Sequence, residues 1–243
     1  MCGIFGVYNF KKKFHQDYLI EKMSDALKHR GQDDSGVFSD EKIGIGHRRL
    51  SILDLSKKGK QPLKIKNFII SYNGEIYNYL ELREELVKLG YSFNTDTDTE
   101  VILNLYIQFG KKCLKHLRGM FSFVIYNTKT NSLFCARDRF GIKPFYYFKD
   151  SDKFIFASEI KAIFTEPTVP RSPNDKIIYD FLVFNRTDHD KETCFEKIYN
   201  LRPGEYIELR GKKFNIQKWY EIKSHKNLKV NETTQVNKFK EIL

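Results

Sequence analysis

The sequence predicts an α+β fold, with antiparallel strands and helices in separate parts of the chain. Short runs of aromatic and β-branched residues follow one another between residues 121 and 157, with turn-forming residues between them. Such runs are typical of antiparallel strands. Apolar residues at helical spacing occur outside this cluster, and this segregation favours α+β over an alternating α/β fold. With 243 residues, of which 41% are hydrophobic, the chain can bury a sizeable core.

The first half of the chain combines both patterns. An apolar run at 4–8 predicts a strand, and apolar residues at helical spacing predict a helix over about 16–28. Further apolar runs predict strands at 43–47 and 68–72. Leucines at helical spacing then predict a helix over 79–89, which the next residue, a glycine, ends.

The second half begins with a helix whose start is marked by polar residues. In "TDTDTEVILNLYIQFG", either Thr97 or Asp98 caps a helix that ends at Gly110. An antiparallel meander follows, then a helix at about 174–184 and a last hairpin within 201–220. The predicted strands of the meander are 121–126, 132–136, 144–148 and 154–157.

The end of the chain again has helical spacing, with an apolar stripe formed by Val236, Phe239, Ile242 and Leu243. Such a stripe needs a surface to cover it. We therefore expect residue 243 to be the edge of a larger protein.

The formal charge of +11 comes from basic residues that are scattered between acidic ones. This pattern is typical of a solvated surface, and no basic motif with interleaved aromatics is present, so we expect no nucleic-acid partner. No apolar stretch approaches the roughly 18 residues of a membrane span and no signal peptide is evident, which predicts a cytoplasmic protein without a membrane partner. The four cysteines have no metal-ligand or redox spacing.

Cys2 follows the initiator methionine directly, in the opening sequence "MCGIFGVYNF". If Met1 is removed, this residue carries both a thiol and a free α-amine. An α-amine has a pKa of about 7.7 to 8.0, so it can take the proton of its own thiol without help from a histidine. The alternative is a small buried apolar residue at the head of a strand.

Six segments of the sequence form an ordered set. They are "MCGIFGVYNF", "HRGQDDSG" at 29–36, "GHRRLSILD" at 46–54, "NGEIYNYLELR" at 73–83, "TDTE" at 97–100 and "RDRFGIKPFYY" at 137–147. Together they resemble the glutaminase domain of glutamine-hydrolysing asparagine synthetase, an amidotransferase with an N-terminal cysteine nucleophile. The resemblance covers residues 1–220 and implies a four-layer α/β/β/α sandwich of two antiparallel sheets. Residues 221–243 are then a linker and the first helix leading towards a missing ATP-dependent synthetase domain.

The resemblance implies catalytic roles for three residues. Cys2 matches the nucleophile that attacks the carboxamide carbon of glutamine and forms a glutamyl thioester, from which water releases glutamate. The side-chain amide of Asn73 and the backbone N–H of Gly74 match the donors to the oxyanion. Taken alone, the Asn-Gly pair predicts a hairpin turn instead.

Five further residues are implied to hold the amino-acid end of glutamine. Arg49 matches the arginine that binds the α-carboxylate, a role that suits its planar fork of donors. Backbone groups around Leu50 and Ile52 match the rest of this cradle. Glu75 and Asp98 match the acceptors for the α-ammonium, although Asp98 also fits a simple helix cap, and both roles can hold at once.

The resemblance implies no cofactor and no metal in this chain, because ATP and Mg²⁺ belong to the missing synthetase domain, where ammonia amidates aspartate. The sequence contains no G-x-x-x-x-G-K-S/T phosphate loop. The expected partners are glutamine and that synthetase domain or subunit, and a homodimer is a further assembly to consider. Two alternatives stay open: an amidotransferase of this branch that acts on another carboxylate, and a catalytically silent regulatory module.

Overall fold

A computed structural model describes residues 1–11, 17–223 and 231–242, and these contain twelve strands and six helices. The strands are β1 Gly3–Asn9, β2 Asp34–Ser39, β3 Ile43–Arg49, β4 Leu63–Ile65, β5 Phe68–Ile76, β6 Gly119–Asn127, β7 Ser132–Arg137, β8 Tyr146–Lys149, β9 Lys153–Ala157, β10 Ile198–Asn200, β11 Glu205–Arg210 and β12 Lys213–Lys218. The helices are α1 Asp17–Ala26, α2 Tyr79–Lys88, α3 Asp98–Phe109, α4 Ile160–Ile163, α5 Asp175–Phe184 and α6 Glu232–Ile242.

The strands form two six-stranded antiparallel sheets that pack face to face. The strand order is β10-β8-β9-β1-β3-β2 in the first sheet and β12-β11-β7-β6-β5-β4 in the second. A core between the sheets contains side chains from both, among them Ile45, Val124 and Phe156. Helices α1 and α4 cover the outer face of the first sheet, and α2 and α3 cover that of the second. The predicted α+β class and the four-layer α/β/β/α sandwich are confirmed.

Strand β1 shows how the sequence builds these layers. Ile4 and Tyr8 face the core between the sheets, whereas Phe5 and Val7 face the layer of α1 and α4. Successive side chains of a strand point to opposite faces. Because both faces of β1 are buried, its sequence is an apolar run rather than an alternating one.

The prediction of one continuous meander is wrong. β6 and β7 pair in the second sheet, whereas β8 and β9 pair in the first. Residues 138–145 cross between the sheets, and the buried carboxylate of Asp138 holds this crossover. It accepts hydrogen bonds from four backbone N–H groups, those of Phe121, Phe140, Ile142 and Lys143. The pattern within a strand does not reveal which sheet the strand joins.

The other predicted elements are confirmed with shifted ends. Residue 16, at the predicted start of the first helix, lies outside the described residues, and so does Leu243 at the end of the last one. Strand β5 continues to Ile76, beyond the predicted end at residue 72. The elements β2, β4, β10 and α4 were not predicted; β4, β10 and α4 contain only three or four residues, which carry little periodicity. Among the described helices, none is long and apolar enough to cross a membrane.

Candidate active site

Four elements meet at one cleft: the start of β1, the end of β3, the second half of β5 and the N-terminus of α3. Seven of the eight residues that the sequence predicts for the site line this cleft, namely Cys2, Arg49, Leu50, Ile52, Gly74, Glu75 and Asp98. Asn73 is buried beside Gly74 in β5 and is not among the lining residues. The fold thus gathers residues that are widely separated in sequence.

The thiol of Cys2 lies against the backbone that follows β3. Strands β1 and β3 are antiparallel neighbours, with Gly3 opposite Arg48. This register brings Cys2 next to Leu50, whose backbone N–H donates to the sulfur at 3.4 Å. Burial raises the pKa of the Cys2 thiol, and the Leu50 hydrogen bond and the charge of Arg49 lower it only in part. At neutral pH the thiol is therefore protonated and needs a base.

No histidine supplies this base within the described residues. His47, in β3, is fully buried and directs Nε2 to the carbonyl of Tyr72 at 3.0 Å. Burial lowers the pKa of His47 to about 4. The hydrogen-bond partners of the Cys2 sulfur are the backbone groups of Leu50. The arrangement fits a nucleophile that is activated by its own α-amine.

Arg30 orients the backbone of Cys2, a role that the sequence analysis did not assign. Its Nε donates to the carbonyl oxygen of Cys2 at 2.8 Å, and its Nη1 donates to Glu159 at 2.9 Å. Burial would raise the pKa of Glu159, but hydrogen bonds from Arg30, His29 and Lys161 lower it to about 2. The Glu159 carboxylate is thus charged at neutral pH and anchors Arg30. "HRGQDDSG" contains Arg30, but nothing in the motif indicates its contact with Cys2.

The guanidinium of Arg49 is held by the loop that follows β3. It donates to three carbonyl oxygens, those of Leu53, Asp54 and Ser56. A guanidinium has five N–H donors, so two are left for a ligand. Gly59 packs directly on this group, and a Cβ at that position would collide with it. The three bonds to the loop and the contact with Gly59 hold the guanidinium in one place beside the cleft.

Asn73 and Gly74 lie inside β5, opposite Ser122 and Phe121 of β6. The hairpin-turn alternative is therefore wrong. Gly74 allows the two strands to approach closely, since a Cβ would come within 2.7 Å of the Cα of Phe121. The side-chain nitrogen of Asn73 is buried and has no hydrogen-bond partner in the described part of the chain. Buried donors are nearly always paired, so this one requires an explanation.

The backbone N–H of Gly74 faces the open edge of β5. On that edge, the N–H of Tyr72 donates to the side chain of Gln61 at 2.8 Å, and the N–H of Ile76 donates to Asp98 at 3.0 Å. Alternate N–H groups of an antiparallel strand point in the same direction. The N–H of Gly74 therefore points out between these two bonds, where Gly74 lines the cleft.

Asp98 is the first residue of α3, and Thr97 is the residue that caps the helix. The Thr97 hydroxyl accepts from the N–H of Glu100 at 3.4 Å, so the carboxylate of Asp98 is free for another role. It accepts hydrogen bonds from the hydroxyl of Tyr72 at 2.6 Å and from the N–H of Ile76 at 3.0 Å. Burial raises the pKa of Asp98 to about 6, so the group is ionised at neutral pH.

Both a basic residue and acidic residues line the cleft. Arg49 offers donors for an anion, and Glu75 and Asp98 offer acceptors for a cation. The lining residues that the sequence analysis missed are Leu53, Gly59, Gln61, Tyr72, Thr97 and Thr99. Strand alternation could have indicated Tyr72, two residues before Gly74, but nothing in the sequence singles out Gln61. In the described residues, no three side chains of the His, Cys, Asp or Glu type come together as metal ligands.

Comparisons with known proteins agree with this arrangement. A sequence model of the glutamine amidotransferase domain matches residues 1–220. The glutamine-hydrolysing asparagine synthetase 3 of Bacillus subtilis is 36% identical over 232 residues, which are 93% of this chain and 38% of that protein. The putative glutamine-hydrolysing asparagine synthetase 2 of Methanocaldococcus jannaschii is 45% identical over 194 residues, which are 72% of this chain and 37% of that protein.

A solved structure supports the fold. Glutamine phosphoribosylpyrophosphate amidotransferase from B. subtilis superposes with a TM-score of 0.66 at 22% identity, covering 90% of this chain and 49% of that one. The chain spans well under half of the length of the two asparagine synthetases. The family match nevertheless extends over most of the chain, from residue 1 to the end of the hairpin formed by β11 and β12. The chain belongs to the glutamine amidotransferase domain family, and its resemblance to the glutaminase domains of asparagine synthetases is confirmed.

Proposed function

We propose that this chain hydrolyses glutamine to glutamate and ammonia through a thioester on Cys2. One observation carries the proposal: the Cys2 thiol, Gly74 and residues of opposite charge line one cleft, and the unpartnered side-chain nitrogen of Asn73 is buried next to Gly74. A silent regulatory module would not need this set. The family match supports the same reaction.

The reaction begins after removal of Met1, when the α-amine of Cys2 becomes free. This amine takes the thiol proton, and the thiolate attacks the carboxamide carbon of glutamine. The side chain of Asn73 and the N–H of Gly74 stabilise the oxyanion. The intermediate expels ammonia, which takes up the proton from the α-amine, and leaves a glutamyl thioester. A water molecule then attacks the thioester and releases glutamate and the thiol.

The charged groups select the free amino acid. Arg49, with backbone groups of Leu50 and Ile52, binds the α-carboxylate, and Glu75 and Asp98 bind the α-ammonium. A blocked α-amine would leave the buried carboxylate of Asp98 without its cation, which disfavours binding. Free glutamine is therefore preferred over the side chain of a glutamine within a peptide.

The test is a glutaminase assay on protein whose N-terminal residue is shown by mass spectrometry to be Cys2. We expect glutamate and ammonia in equal amounts, without ATP. N-acetylglutamine should be a poor substrate, because its amide nitrogen carries no positive charge to pair with the carboxylate of Asp98. No hydrolysis of glutamine by this mature protein would contradict the proposal.

The acidic side of the pH profile should depend on Asp98. Because the pKa of Asp98 is about 6, the KM for glutamine should rise below pH 6, as the carboxylate becomes protonated. The hydroxyl of Tyr72 lowers this pKa, so Tyr72→Phe should move the rise in KM to a higher pH. Steady-state kinetics between pH 5 and 8 measure the shift. Tyr106→Phe is the matched control, because Tyr106 packs on Phe134 away from the cleft. An unchanged profile in Tyr72→Phe would contradict this role.

For the whole protein, we propose that the ammonia passes to an ATP-dependent synthetase region, which amidates aspartate. The relatives' names and their greater length support this proposal. ATP and Mg²⁺ would bind in that region, and we place residues 221–243 as the linker and first helix towards it. A cytoplasmic location would suit this metabolism. Asparagine formation by the full-length protein, with labelled nitrogen from glutamine, tests the acceptor.

A further inference from the structure

Gln61 is a buried polar residue of the cleft to which the proposed chemistry gives no part. It is 7% exposed, and its side chain makes two hydrogen bonds. Its Oε1 accepts from the backbone N–H of Tyr72 at 2.8 Å, and its Nε2 donates to the hydroxyl of Thr99 at 3.2 Å. These bonds connect strand β5 with the first turn of α3.

The two elements that Gln61 connects carry different parts of the proposed site. β5 carries Asn73 and Gly74, and α3 carries Asp98. β4 pairs with β5 only along residues 68–70, so the rest of this edge has no neighbouring strand. The side chain of Gln61 replaces that strand at Tyr72. Without the side chain of Gln61, the N–H of Tyr72 would be a buried donor with no hydrogen-bond partner, which costs free energy. We expect strand β5 to shift in order to relieve this cost.

The backbone of Gln61 is itself anchored. It packs on Gly36 of β2 so closely that a Cβ there would lie 3.1 Å from the Gln61 carbonyl carbon. Two residues earlier, Gly59 packs on the guanidinium of Arg49. At one end, the segment 59–61 therefore contacts Arg49, the residue proposed to bind the substrate α-carboxylate. At its other end, the side chain of Gln61 holds strand β5 and helix α3, which carry the other residues of the proposed site.

We propose that Gln61 is a positioning residue that sets both the spacing between Arg49 and Asp98 and the direction of the Gly74 N–H. The proposal rests on the proposed glutaminase function and adds to it a group whose side-chain hydrogen bonds are made to β5 and α3. Small displacements of reacting groups are costly, since an error of about 1 Å can reduce a rate about 100-fold. A side chain that fixes two such groups together therefore has a large effect on catalysis.

The test compares Gln61→Met, which keeps the shape of the side chain and removes both hydrogen bonds, with the mature wild-type protein. We expect kcat/KM for glutamine to fall roughly 10- to 100-fold. Labelling of Cys2 by a diazoketone analogue of glutamine should slow similarly. Labelling by iodoacetamide, which needs only the thiolate, should not change. A merely structural role would alter both labelling rates together.

Two more variants separate the two hydrogen bonds. Thr99→Val removes only the bond to α3, so we expect a higher KM with kcat within about twofold of the wild type. Gln61→Glu keeps an acceptor for the N–H of Tyr72, and the Thr99 hydroxyl can donate to the new carboxylate. At pH 8, Gln61→Glu should therefore recover a large part of the activity that Gln61→Met loses.

Gln108→Met is the matched control. Gln108 is an exposed residue of α3 that accepts a hydrogen bond from Tyr91 at 2.9 Å, and it should be replaceable without effect on kcat/KM. A wild-type kcat/KM in Gln61→Met, or equal slowing of both labelling reactions, would overturn the role of Gln61. Failure of the mature wild-type protein to hydrolyse glutamine would instead contradict the proposed function, and it would be seen before any variant is compared.

Discussion

Cys2→Ala should abolish the hydrolysis of glutamine, with a loss of roughly 10⁴-fold or more, because no other group can form the thioester. The structure gives a reason to expect so large an effect. Within the described residues, the cleft is lined by one cysteine and by no histidine. In the proposed mechanism, the remaining groups bind glutamine and stabilise the oxyanion, and none of them attacks the carboxamide. The measurement is the release of ammonia from glutamine by protein without Met1.

The control for this variant is another free cysteine. Cys194 is exposed and distant in sequence from the cleft residues, so Cys194→Ala should keep the wild-type rate. Cys2→Ala should still bind glutamine, since the thiol is not part of the charged clamp. A protein that binds glutamine without hydrolysing it would show that the fold is intact. Equal activity of Cys2→Ala and the wild type would exclude the covalent mechanism.

The same glutaminase assay, applied to protein that retains Met1, tests the role of the α-amine. A variant in which Met1 is retained has its Cys2 nitrogen in a peptide bond, where it cannot act as a base. The raised pKa of the thiol makes this loss severe, because little thiolate forms spontaneously at neutral pH. We expect such protein to be inactive while its thiol still reacts slowly with iodoacetamide at high pH.

The strands and helices could be predicted from local periodicity, but their assembly into sheets could not. The strand pairs β6–β7 and β8–β9 have similar aromatic patterns, yet they belong to different sheets. The carboxylate of Asp138 holds the crossover between the two sheets, through bonds to the N–H of Phe121 in β6 and to three N–H groups of the crossover itself. Such hydrogen bonds of a buried carboxylate leave no periodic signal in the sequence. Only the resemblance to a known family predicted the sandwich.

The candidate site was predicted on the same basis. Asn73 illustrates the limit of local patterns, because an Asn-Gly pair ordinarily indicates a turn and here lies within a strand. Gln61 illustrates a second limit. Its bonds to Tyr72 and Thr99 depend on where β4 stops pairing with β5, which the sequence does not show. Residues that bind a substrate occur in recognisable motifs, whereas residues that position them depend on tertiary contacts.

Asn73→Ala should lower kcat roughly 10²- to 10³-fold with little change in KM, because a donor to the oxyanion acts only in the transition state. The side-chain nitrogen of Asn73 is buried and has no partner in the described residues. Such a group destabilises the resting protein, and this cost is offset when negative charge develops on the substrate oxygen. The N–H of Gly74 remains as a second donor, so the variant should keep a measurable rate.

A matched control distinguishes this role from that of any buried amide. Asn104, on α3, is also buried and also has an unpartnered side-chain nitrogen, but neither of its chain neighbours lines the cleft, whereas Asn73 is next to the lining residue Gly74. Asn104 lies six residues beyond Asp98, about 9 Å further along the helix axis. Asn104→Ala should therefore change the thermal stability without a comparable loss of kcat. If both variants lost kcat equally, or if Asn73→Ala raised only KM, Asn73 would not stabilise the oxyanion.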